Sequence, residues 1–124
     1  MSAMTASERA IQLNAKNDAR AKAAGRPVYF RLMEGAADWA EYDVHTADDL
    51  DHHLAMEAHW GGYKDIHGIR PRWIDYDAMT TAEIDAMTSK MYADQEREEA
   101  EDAAALADAT NPAPLTHSPF AVLA

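Results

Sequence analysis

Val28-Tyr29-Phe30-Arg31-Leu32-Met33 is the stretch on which the fold class turns. Val28, Phe30 and Leu32 fall on one side of an extended chain, the period-two pattern of a half-buried strand built from branched and aromatic residues. Ala40, Tyr42 and Val44 repeat the alternation after the link Glu34-Gly35-Ala36-Ala37-Asp38. Together the two runs predict an antiparallel β-hairpin, its register left open because the link is longer than a two-residue turn. A bare hairpin is marginal in water, so a helix must cover one of its faces.

Working outward, that helix is expected to start at Thr46-Ala47-Asp48-Asp49, a hydroxyl cap followed by acids where the helix dipole favours them. Leu50, His53, Leu54, Glu57, Trp60 and Tyr63 then recur at three- and four-residue steps. Gly61-Gly62 interrupts the pattern at a cost of about 2 kcal/mol against alanine. The pair therefore predicts a kink or a close backbone approach. Gly68 is a natural left-handed C-cap, and Pro71 keeps Arg70 out of the helical region, so the Arg-Pro-Arg connection is expected to be extended. Upstream, Thr5-Ala6-Ser7-Glu8 is a capping box for an Ala-rich helix that Gly25 and Pro27 end. Downstream, Thr80-Thr81-Ala82-Glu83 is a second such box, opening a helix with a stripe at Ile84, Met87 and Met91 and an acidic extension without an apolar face.

The fold expected is thus α+β, mainly helical: three helices, one hairpin and a long acidic C-terminal helix. Its segments are a basic Ala-rich helix (1–27), an aromatic-rich core (28–92), an acidic helical extension (93–110) and a Pro-containing tail (111–124) in which Phe120, Val122 and Leu123 are candidates for docking.

With 124 residues the chain suits one ordinary domain. Leu, Ile, Val and Phe number only 17 while the net charge is −11, so the core must be small and local. Eight of the ten aromatics lie between residues 28 and 76, which places it. The absence of cysteine excludes a disulfide framework, a Cys-ligated zinc and a thiol nucleophile. No apolar run approaches the ~20 residues of a membrane span, and no signal-peptide pattern opens the chain, so a soluble, intracellular protein is expected.

Charge is unevenly spread. Residues 1–27 carry five basic and two acidic groups, 28–62 one and eight, 63–74 three and one, and 75–124 two and eleven. Most of this surface repels polyanions and attracts basic partners. The basic island Tyr63-Lys64-Asp65-Ile66-His67-Gly68-Ile69-Arg70-Pro71-Arg72-Trp73 is the exception. Its cations framed by Tyr63 and Trp73 have the chemistry of a phosphate or base-stacking site. Its acidic surroundings favour instead bidentate pairing of Arg70 and Arg72 with carboxylates of this chain or of a partner, and nucleic-acid binding is not expected.

His45, His52, His53, His59 and His67 sit among carboxylates, and His52 and His59 share a helical face. A His/carboxylate metal site would need such a face, but no HExxH occurs and the spacing reads more simply as solvated or capping groups. No metal, cofactor or catalytic residue is assigned. Glu96, Glu98, Glu99, Glu101 and Asp102 read either as a solvated helix face or as carboxylates set where a nucleic-acid-binding protein expects phosphates.

From Tyr63 to Arg72 the chain resembles a group of small bacteriophage proteins with a similar aromatic-Lys-Asp, then Gly-x-Arg-Pro-Arg run after a helix, followed by an acidic helix. The likeness covers about 40 residues and names no activity; Gly61-Gly62 departs from the helix formers expected there. It implies a phage or prophage origin and action in the cytoplasm of a bacterial host. The function expected is a non-enzymatic phage accessory protein that binds a basic host protein through its acidic surface, mimicking nucleic acid to inhibit a defence or nucleic-acid-processing protein. The alternatives are a virion or assembly component that oligomerises and, more weakly, a His-dependent metalloenzyme.

Overall fold

The computed structural model describes residues 3–110; the tail with Phe120, Val122 and Leu123, read as able to dock or to remain loose, lies outside them. The described chain forms α1 (Ala6–Ala23), α2 (Ala36–Ala40), α3 (Ala47–His67), a 3-10 turn (Tyr76–Ala78) and α4 (Thr81–Thr110). It divides into two compact units, Met1–Asp85 and Ala86–Ala124.

Two of these helices begin at one place. Thr5 caps α1 in a reciprocal box with Glu8, and Thr46 caps α3 in the same way with Asp49. The two caps form an isolated antiparallel bridge, in which the Ala6 N–H donates to the His45 carbonyl at 3.0 Å and the Ala47 N–H to the Met4 carbonyl at 2.9 Å. Donors that a helix start leaves without a partner are thereby satisfied by the other helix's cap. From this joint the helices run side by side, tied one turn on by Arg9 Nε to Asp51 at 3.0 Å. Ala6 and Ala10 present small buried side chains at a four-residue step, so α1 packs closely on Leu50 of α3, and Trp39 and Val44 complete the cluster.

The expected α+β fold with a β-hairpin is overturned, because no β-strand forms among the described residues. Residues 28–33 find their backbone partners on a helix instead. Asn14, 4% exposed in α1, accepts from the Leu32 N–H at 2.8 Å and donates to the Leu32 carbonyl at 2.9 Å, as a neighbouring strand would. One turn later Asn17 donates to the Phe30 carbonyl at 3.0 Å. The other half of the expected hairpin is α2 and a turn. Gly35 caps the short helix, Trp39 buries its ring and donates to the Met33 carbonyl, and Asp43 adopts a left-handed φ of 58°. Buried Val44 therefore answers to a turn that aims it inward, not to a strand face.

Further along, α3 continues unbroken through Gly61 and Gly62, correcting the interruption expected there. A methyl group at Gly61 would meet nothing within 4 Å, so no backbone crowds that position. Gly68 ends the helix at φ 80°, its N–H returning to the Lys64 carbonyl. The Arg-Pro-Arg connection is folded and not extended: the Arg72 N–H donates to the Arg70 carbonyl and the Ile74 N–H to that of Pro71, which wraps the chain around a fully buried Pro71. Among the described residues no helix is long and apolar enough to cross a membrane.

Candidate functional site

The residues around the motif are assembled by the end of α3 and the turns after it. Helical spacing sets His59, Tyr63 and His67 on one face. The ring of Tyr63 lies 4.3 Å from that of His67, 5.9 Å from His59 and 5.5 Å from Trp73, centroid to centroid. Arg70 is half-buried with its guanidinium 5.4 Å above the Trp60 ring, a cation–π contact. No carboxylate among the described residues pairs with Lys64, Arg70 or Arg72, so the expected internal stapling of the arginines does not form. Lys64, Asp65 and Arg72 are exposed, as are Ile69 and Trp73, the latter at 64%. Tyr63, Gly68, Arg70 and Pro71 act in the joint, with the His67 and Trp73 rings against Tyr63, while Lys64, Asp65, Ile69 and Arg72 face solvent.

Beneath it lies a polar pair that the sequence does not announce. His59 is buried, and its Nδ1 lies 2.7 Å from the Tyr76 hydroxyl. Tyr76 in turn packs edge-on against His59 and Trp60. Burial pushes the imidazole below its ordinary 6.5 and the phenol above its ordinary 10.0. His59 therefore takes up a proton less readily folded than unfolded. The burial adds no pH dependence well above its ordinary 6.5 and costs stability as pH falls below it. Denaturant titrations should show the unfolding midpoint falling between pH 7 and pH 5 in the wild type, and a shallower fall in His59→Gln.

The remaining histidines have structural work. His52 Nε2 is within 3.0 Å of the Tyr76 and Met79 carbonyls, tying the 3-10 turn to α3. His53 sits against Trp39 and Tyr42 and bonds Glu57, and His45 bonds Asp43. An open cleft of about 670 Å³ gathers Asp43, Asp49, Asp75 and Asp77 beside His52. Three of its carboxylates are already engaged: Asp43 with His45, Asp49 with the His45 and Thr46 N–H groups, which hold it below the ordinary carboxylate range, and Asp75 with the Asp77 N–H. Among the described residues no three His, Asp or Glu side chains could hold a metal ion.

The second unit, described over residues 86–110, is helix, and it carries the acidic run. Asp94 is bonded by Lys90 at 2.7 Å and approached by Arg97 at 3.4 Å, and Arg97 also reaches Glu101 at 3.8 Å. Lys90 holds the Asp94 carboxyl below its usual range through their hydrogen bond. Glu96, Glu98, Glu99 and Asp102 are exposed, and no cation among the described residues pairs with them. Among the described residues Glu99 accepts from Gln95.

What the sequence reading missed is Asn14, the His59–Tyr76 pair and the seat of Arg70 on Trp60. A signal for the first was present: Asn14 continues the Ala6, Ala10 step, and a polar residue of low helix propensity on a buried stripe must have a partner. Compared with protein-family models, curated proteins and solved structures, the chain finds no match.

Proposed function

We propose that this protein is a non-enzymatic phage accessory protein whose acidic helix occupies the nucleic-acid-binding surface of a basic host protein. The observation that carries the reading is the density of carboxylates on α4, of which Glu96, Glu98, Glu99 and Asp102 meet no cation among the described residues. From Asp94 to Asp102 six acids and one arginine fall within nine residues, a rise of about 12 Å. That is roughly one net negative charge per 2–3 Å, between the ~3.4 Å of one DNA strand and the ~1.7 Å of the duplex. An Ala-rich helix gives such a row a rigid backbone without adding apolar surface of its own. The phage setting rests on the resemblance of residues 63–72.

The test is affinity capture from bacterial lysate with the wild type and with Glu96, Glu98, Glu99 and Asp102 changed together to Gln or Asn. The wild type should retain basic proteins that moderate salt and duplex DNA both elute, and the neutralised variant should lose them. Equal retention by both would refute the reading.

A further inference from the structure

We propose that residues 28–33 present a free strand edge through which two copies of this chain pair antiparallel. The backbone of Phe30 and Leu32 faces α1, where Asn17 and Asn14 bond it. In an extended chain the groups of alternate residues point to opposite edges. Tyr29 and Arg31 therefore direct their N–H and C=O away from α1, and none of the four has a partner within the described residues. The edge is bounded on both sides. Pro27 has no N–H to give, and the Met33 carbonyl is taken by Trp39. Residues 22–31 are all exposed, with Tyr29 at 80% and Phe30 at 66%, so the approach is open.

The occupant that fits is a second copy, because the edge is complementary to itself. A two-fold axis through Phe30 sets Tyr29 opposite the partner's Arg31 and Arg31 opposite the partner's Tyr29, each pair exchanging two backbone hydrogen bonds. Each tyrosine ring then meets a guanidinium that Asp18 already holds in place at 2.8–2.9 Å, leaving that side chain 55% exposed. On the opposite face Phe30 meets Phe30 of the other copy as a close, non-hydrogen-bonded aromatic pair.

The chain has no cysteine, so single introduced thiols read the register cleanly. Under mild oxidation Phe30→Cys should form a disulfide-linked dimer on the order of tenfold faster than Val28→Cys, whose two thiols lie apart in this register. Adding Tyr29→Pro, which deletes one edge donor at an exposed position, should bring the Phe30→Cys rate down to the Val28→Cys level. Sedimentation of the wild-type chain should show a reversible monomer–dimer equilibrium that Tyr29→Pro shifts to monomer, while circular dichroism stays unchanged. Equal cross-linking of Phe30→Cys and Val28→Cys, or a wild type that stays monomeric at high concentration, would overturn the proposal.

Discussion

Replacing Trp39 by alanine is expected to cost about 3–5 kcal/mol, the range for deleting a large buried aromatic side chain. Trp39 is 4% exposed in the cluster formed with Ala6, Ala10, Val44 and Leu50, and its ring lies against Tyr42 and His53. Its indole N–H also satisfies the Met33 carbonyl at 2.6 Å, so truncation leaves both a cavity and an acceptor without its donor. The unit Met1–Asp85 is of a size whose whole stability is roughly 4–13 kcal/mol. Urea unfolding followed by circular dichroism should therefore find the midpoint lowered by roughly a quarter or more of its wild-type value. Trp39→Phe keeps most of the apolar volume and loses the donor, and should cost only about 1–2 kcal/mol.

The second large effect is expected at Asn14. Its amide is fully used: the oxygen accepts from the Leu32 N–H, and the nitrogen donates to the Leu32 carbonyl and to Glu34 at 2.9 Å. Asn14→Ala should cost about 2–3 kcal/mol, because the buried bonds go and the groups they served are left without partners. Helix propensity works in the opposite direction, since alanine is the better helix former, so α1 itself should survive. Hydrogen exchange separates the two effects. The Leu32 amide should lose its protection in Asn14→Ala while the amides within α1 keep theirs, a pattern that general destabilisation would not give.

These two residues also mark the limit of what the sequence made legible. Helix ends could be read: Thr5 with Glu8 and Thr80 with Glu83 form the boxes their spacing specifies, Thr46 caps α3 and gains Asp49 as a reciprocal partner, and Gly68 takes the left-handed cap. Each depends on atoms within four residues, so local sequence suffices. The hairpin failed because alternation reports an extended chain with one face covered and does not say what covers its hydrogen bonds. At residues 28–33 the cover is a pair of asparagines on a helix, a long-range choice that no local pattern encodes. The site shows the same division. The exposure of the acidic run followed from composition, whereas Arg70 settled on Trp60 and not on a carboxylate because the two turns around Pro71 aim it there.

We propose that carboxylates on α4 stand in for phosphates. The most direct measurement is competition: a basic protein captured from bacterial lysate, loaded with fluorescently labelled duplex DNA, is titrated with the wild-type chain. Displacement of the DNA is expected, with an apparent affinity that falls steeply between about 0.05 and 0.2 M salt and is lost when Glu96, Glu98, Glu99 and Asp102 are neutralised. A ternary complex in which partner, DNA and this protein coexist, or displacement unaltered by the four substitutions, would contradict it.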